Sequence, residues 1–226
     1  MAGSRMGALD LGPMEVSSRL VDAIVGKLKQ AIVAGTLAPG TPLSVPALAR
    51  HLAVSRSPVR EAVLQLVGLG LAVEQPRKGV VVATVDHDDL VGIHEIRAYL
   101  EAAAARYCAE RIELASVAQL DAVLARQKQA VADADALAYY ETNAVLHRLI
   151  AGHAGNPRLA LMLGQLEGQM AIALQRISTS RAHMRAAYQE HGEIVSHIRA
   201  KDGAKAEAAM RSHIAATLAR VTKQRG

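Results

Sequence analysis

The segment Leu48–Leu69, LARHLAVSRSPVREAVLQLVGL, constrains this chain more than any other, because it reads as two short amphipathic helices around a tight turn. The first carries apolar Leu48, Ala49 and Leu52, with Ser44 as its N-cap and Pro46 in the first turn, where no helical hydrogen bond is lost. Val54 fills the hinge. The second is predicted to begin after Ser57, with Pro58 at its first position and an apolar stripe through Val59, Val63, Leu66 and Val67. Burying that stripe leaves Arg56, Ser57, Arg60 and Gln65 on the outer side, with Ser55 at the turn. Guanidinium forks and hydroxyls on one helix face suit the phosphates and guanine edges of a major groove, so the expected partner is double-stranded DNA.

The flanking segments extend this unit. Arg19–Ala34 has helical periodicity in Leu20, Ala23, Ile24, Leu28 and Ile32, ends at Gly35 and enters the turn Leu37–Gly40. Downstream, Leu71–Glu74 and Val80–Ala83 are short strand-like runs, and between them Gln75–Gly79 forms a hairpin tip with Arg77, Lys78 and Gly79 facing the same partner. Residues 15–84 are therefore expected to form a winged helix-turn-helix domain, after a disordered tail over residues 1–14.

Charge follows the same division. Residues 1–83 hold nine Lys and Arg against five Asp and Glu, whereas residues 84–226 hold seventeen against sixteen, as expected when only the N-terminal domain meets a polyanion. With no Phe or Trp and five Tyr among 226 residues, cores must be built from aliphatic side chains and Ala, which favours packed helices. The single cysteine, Cys108, excludes a disulfide framework and fits a reducing compartment. Absence of a signal sequence and of any long apolar run predicts a soluble, cytoplasmic protein.

Beyond the polar connection Val85–Asp89, residues 85–226 carry six helical patterns, at about Asp88–Arg111, Ser116–Asp133, Ala136–Gly152, Pro157–Ile177, Arg181–Ala200 and Gly203–Thr222. The fold class is thus mainly α, a winged helix-turn-helix domain followed by an all-α bundle. No Gly-rich phosphate loop, Ser-His-Asp pattern or Cys-x-x-Cys motif appears in the bundle, and no enzymatic activity is expected. Six of the nine histidines fall after residue 146, and Asn143 and His147, four apart, share one helix face.

Gly35, Leu37–Gly40, Leu48-Ala49, Val54–Ala62 and Gly79 together resemble the GntR family of bacterial transcriptional regulators. Glu95-Ile96-Arg97 with Leu100-Glu101, Asn143 with Leu146-His147, Ala154–Asn156, Glu190-His191 and Ser212-His213 are similar to the effector-binding FCD domain of its FadR branch, and six helices match the VanR-like group. The resemblance implies a homodimeric repressor of a pseudo-palindromic operator, controlled by a small-molecule carboxylate. It also implies a divalent metal ion, zinc or nickel foremost, held by Asn143, His147, His191 and His213. Where most metal-binding relatives carry Asp, this chain has the neutral Asn143, which implies a weaker ligand or a water in its place. Arg97 has two readings: an anchor for the effector carboxylate, or a local i, i+4 ion pair with Glu101. Two other functions compete with the regulator, a metal-dependent enzyme using the histidines and an architectural DNA-binding protein without an effector.

Overall fold

The computed structural model describes residues 18–174 and 180–223, so the expected tail over residues 1–14 and the predicted end of the fourth bundle helix at Ile177 lie outside the described residues. The chain opens with α1 (Ser18–Val33), α2 (Val45–Leu52), α3 (Arg56–Gly68), β1 (Ala72–Gln75) and β2 (Gly79–Val82). On α1 the buried face is Val21, Ile24, Leu28 and Ile32. Leu20 and Ala23, expected on that face, point outward instead, because Val21 continues the three-and-four spacing of Ile24, Leu28 and Ile32 better than Leu20 does. These side chains meet Val59, Ala62, Val63 and Leu66 of α3, together with Leu71 and Val82 from the hairpin, in one core.

The start of α3 differs from the sequence expectation by two residues. Ser55, not Ser57, takes the N-cap position, and Pro58 becomes the third helical residue. Proline is tolerated there because the first turn's N–H groups have no intrahelical acceptor to lose. The turn before it closes at Ala53, whose left-handed φ of 54° lets its N–H reach the carbonyl oxygens of Ala49 and Arg50. In the wing, β1 and β2 pair antiparallel from Ala72↔Val82 to Gln75↔Gly79, leaving Pro76, Arg77 and Lys78 as the tip. Pro42 adds an isolated bridge to Val81, tying the turn after α1 to the wing.

Six helices follow among the described residues: α4 (His87–Arg111), α5 (Leu114–Asp133), α6 (Ala136–His153), α7 (Pro157–Leu174), α8 (Arg181–Arg199) and α9 (Gly203–Lys223). Helix α4 begins one residue before the expected Asp88 because Asp86 and Asp89 form a reciprocal capping box, with the Asp89 N–H donating to Asp86 at 2.8 Å. Its alanines let neighbours approach closely: Ala104, Ala105, Cys108 and Ala109 pack against Leu120 of α5, Leu146 and Ile150 of α6, Ile194 and Ile198 of α8, and Met210 and Ile214 of α9. Cys108 is fully buried there, and burial pushes its thiol up to about 12, so it serves as a small apolar side chain. No helix among the described residues is long and apolar enough to cross a membrane.

Helix α7 joins the two halves. Its Ile172 is buried in the core of the winged domain, while Met170 and Ala173 are buried against Leu90 and Ile93 of α4. At the same junction Gly70 (φ +69°) and Gly168 place the turn after α3 directly on the α7 backbone. A Cβ on Gly168 would lie 1.9 Å from the Leu69 carbonyl oxygen, and one on Gly70 would lie 2.4 Å from that of Gln165.

Candidate functional site

Three of the four residues predicted to hold a metal converge inside the bundle. His147 on α6, His191 on α8 and His213 on α9 each offer a ring nitrogen, and these atoms all lie within 4.8 Å of one another. His191 and His213 are buried, and their Nε2 atoms stand 3.2 Å apart. The fourth, Asn143, lies on α6 one turn before His147, half-buried.

The neighbouring oxygens assign which nitrogen is free on each ring. His191 Nδ1 faces the amide oxygen of Gln127 on α5 at 2.8 Å, His213 Nδ1 faces the Glu190 carboxylate at 2.7 Å, and His147 Nδ1 faces the Glu101 carboxylate on α4. An oxygen acceptor calls for an N–H, so each ring donates from Nδ1, and in the neutral form each Nε2 is left with a lone pair. The third of these, Nε2 of His147, is buried with no hydrogen-bond partner. Burial, reinforced by the neighbouring His213 and His147, holds the His191 pKa well below the usual imidazole value. Burial likewise lowers His213 to about 4, although its bond to Glu190 works in the opposite direction. Two neutral rings presenting lone pairs to each other at 3.2 Å repel unless something positive lies between them. A first-row ion bound at about 2.0–2.1 Å by two imidazoles separates their nitrogens by roughly 3 Å, so the donor set fits such an ion.

The outer partners are themselves anchored. Within α4, Arg97 Nε donates to Glu101 at 2.7 Å, so the local ion pair is formed and the guanidinium is engaged by the same carboxylate that orients His147. Burial would raise the Glu101 pKa, but Arg97 and His147 outweigh it and hold the carboxyl far below its usual range. Glu190 receives both arms of Arg220 at 2.7 Å, and with His213 this pulls its pKa down to about 2 against the effect of burial. Sequence spacing leaves Gln127 and Glu190 without a role and offers Glu101 only as a partner for Arg97. Signals exist all the same: Glu190 adjoins His191, and Gln127 interrupts the inward stripe of Val117, Leu120, Val123 and Ala130 on α5.

A second candidate surface lies on the winged domain. Ser55, Arg56, Ser57, Arg60 and Gln65 are exposed along α3, and Arg77, Lys78 and Gly79 are exposed at the wing tip. No ion pair links Arg56, Arg60, Arg77 or Lys78 to any described residue, so their charges are available to an external anion. Exposed Arg50, at the end of α2, adds a cation that the sequence pattern does not single out, and it borders an open depression with Ser55 and Arg56.

Residues 20–82 match the family described as bacterial regulatory proteins, gntR family, and residues 92–216 match the FCD domain. Among curated proteins, the HTH-type transcriptional regulator McbR of Escherichia coli (strain K12) is 28% identical over 177 residues, covering 77% of this chain and 80% of McbR. The HTH-type transcriptional repressor RspR of the same organism is 29% identical over 191 residues, 83% of this chain and 82% of RspR. Its galactonate operon transcriptional repressor is 28% identical over 223 residues, 88% of this chain and 96% of the repressor. The solved structure of E. coli McbR/YncC covers 92% of this chain and 99% of its own, with a TM-score of 0.77 at 25% identity. With the FCD match spanning more than half of the sequence and the gntR match taking in both helices of the reader and its wing, the chain belongs to the GntR family of bacterial transcriptional regulators that carry a C-terminal FCD domain.

Proposed function

We propose that the chain is a repressor that binds a pseudo-palindromic operator as a homodimer and responds to a small-molecule carboxylate held beside a divalent metal ion in the helical domain. The observation that carries the effector half is the convergence of three Nε2 lone pairs, each enforced by an acceptor on the opposite ring nitrogen. His147, His191 and His213 would hold the ion, zinc or nickel by donor type, with Asn143 or water beside them. The ion supplies a positive charge to which a carboxylate oxygen can bind. Glu101 and Glu190 are committed to Arg97, Arg220 and imidazole N–H groups and are too weakly basic to take protons near neutral pH, which supports binding over catalysis.

On the DNA side, Arg56 and Arg60 reach base edges and phosphates from α3, with Ser55, Ser57 and Gln65 beside them, while Arg77, Lys78 and Gly79 meet the adjacent backbone. One small reader buries too little surface for tight, selective binding, and two related by a dyad double the contacts. Ligand releases DNA only in so far as it binds more tightly to a dimer arrangement that misaligns the readers. RspR and the galactonate regulator are named repressors, which supports that sign of control.

The deciding measurement is metal content by inductively coupled plasma mass spectrometry on tag-free protein purified without chelators. The expected result is about one first-row metal per chain, lost in His191→Ala. No metal after incubation with zinc, nickel and manganese would overturn the metal-assisted effector site.

A further inference from the structure

We infer that Gly70 and Gly168 are positioning residues for the reader: they form a backbone-on-backbone seat through which α7 fixes the angle of α3 on the effector domain. The inference rests on the homodimeric reading above, because reader angle matters most where two readers must fit one duplex.

Four observations carry it. First, the seat is reciprocal. A Cβ on Gly168 would meet the Leu69 carbonyl oxygen at 1.9 Å and carbon at 3.1 Å, and one on Gly70 would meet the Gln165 carbonyl oxygen at 2.4 Å and carbon at 3.2 Å. The obstructing atoms are backbone, so no side chain can swing aside, and interiors packed at crystal-like density do not absorb an extra methyl locally. Second, Leu69 and Gly70 follow immediately on α3, so displacement at the seat is displacement of the reader helix. Third, α7 is inserted into two cores at once. Ile172, one turn beyond Gly168, is buried with the α1 and α3 side chains, while Met170 and Ala173 are buried with Leu90 and Ile93 on α4, the helix that bears Arg97 and Glu101. Fourth, Glu167, beside Gly168, is ion-paired to Arg148, which directly follows His147 on α6. That pair is exposed and weak by itself, and it marks where α7 lies beside the helix carrying a candidate ligand. A shift of α4 or α6 at the histidine cluster therefore reaches the reader through one rigid helix, and the bare glycine backbones leave no compliant side chain between them.

Two substitutions on one helix test this in the full chain. Gly164, one turn before Gly168 on α7, has open space for 4 Å around the position a methyl would take, so Gly164→Ala controls for helix propensity alone. The DNA probes are a duplex selected by the wild-type chain from a randomised pool, and the half-site of that duplex. Gly168→Ala is expected to lose at least tenfold in affinity for the full duplex while holding the half-site as wild type does, whereas Gly164→Ala keeps both. General loss of structure would weaken both probes together. In parallel, nitroxide labels at Leu64→Cys and Leu161→Cys, both exposed and lying on α3 and α7, report the distance across the seat, with fully buried Cys108 out of reach of the label. That distance is expected to shift or broaden in Gly168→Ala only. Wild-type full-duplex affinity together with a wild-type label distance in Gly168→Ala would overturn the inference. If Gly168→Ala does not fold, Gly70→Ala places the methyl from the other side of the seat and is judged by the same two outcomes, with Gly40→Ala, at a left-handed glycine (φ +81°) with open space around it, as the control for backbone strain alone. A wild-type chain that holds its half-site as tightly as the full duplex would refute the homodimer instead, and the label distance alone would then decide the seat.

Discussion

Replacing Gln127 by Leu removes the acceptor that fixes the His191 ring while nearly keeping side-chain volume. Gln127 is fully buried, its oxygen takes the His191 Nδ1–H at 2.8 Å, and its own Nε2 has no partner. Two effects of different size follow. In the metal-free chain the lost hydrogen bond is offset by removal of the unpartnered Nε2 and by transfer of the His191 proton to Nε2, where His213 accepts it, so stability changes by no more than about 1 kcal/mol. The effect on metal is larger. Without Gln127, His191 is free to carry its proton on Nε2 and donate it across 3.2 Å to His213 Nε2, which occupies both lone pairs that would hold the proposed ion. Loss of such outer partners typically costs 10–100-fold in metal affinity, or about 1.4–2.7 kcal/mol. Competition between the protein and a chromophoric chelator for zinc measures this directly, with urea unfolding in chelator giving the stability term. Zinc affinity in Gln127→Leu within twofold of wild type would refute the tautomer argument.

Arg60→Ala is expected to cost roughly 1–3 kcal/mol in binding to a duplex selected by the wild-type chain, and unchanged affinity would remove Arg60 from the reading face. Lowering the pH should destabilise the metal-free protein. Burial, the largest influence on each, holds His94, His183, His191 and His213 below the ordinary imidazole pKa, so below about pH 6.5 the unfolded chain takes up protons that the native chain refuses. Stability then falls with pH by at most about 1.4 kcal/mol per unit for each histidine, for His213 down to about 4, and a melting temperature in chelator that is flat from pH 7.5 to 5 would contradict this. Gly164→Ala should raise the melting temperature, because helix propensity favours Ala over Gly by about 1 kcal/mol and nothing obstructs the methyl, and a lowered value would argue against the packing described.

Much of the architecture was legible because it rests on local physics. Periodicity, glycine turns and proline positions place all six bundle helices within about two residues wherever both ends are described, and the hairpin follows from two short apolar runs around Pro76 to Gly79. Errors arose where two local solutions compete. Both Ser55 and Ser57 can cap a helix, and Leu20 and Val21 each continue an apolar spacing, so only packing against α3 decides. The site was partly legible in the same sense. Asn143 and His147 share a face by spacing alone, but bringing His147 to His191 and His213 depends on the order of helices in the bundle, which enters through the family resemblance. Partners that fix the rings lie too far away in sequence to be read: Gln127 is 64 residues from His191, and Glu101 is 46 from His147. The close approach at Gly168 has no local signature either, since Gly164 and Gly168 look equivalent on the helix until the reader is docked.

The histidine cluster draws on α4 through Glu101, α5 through Gln127, α6 through His147, α8 through His191 and Glu190, and α9 through His213. Among the described bundle helices, α7 contributes none of these groups, and it is the one that bears on the winged domain. Chemistry and mechanics are thus assigned to separate parts of the chain. Substitutions among the residues that line the cluster can retune the small molecule proposed to bind there without replacing a residue of the mounting, and changes at Gly70 or Gly168 can alter how the reader is held without replacing a residue of the cluster. A scaffold divided in this way lets drift or engineering explore new effectors and new promoters, the two requirements for rewiring one regulator to another gene, at separate residues while α7 keeps the two ends connected.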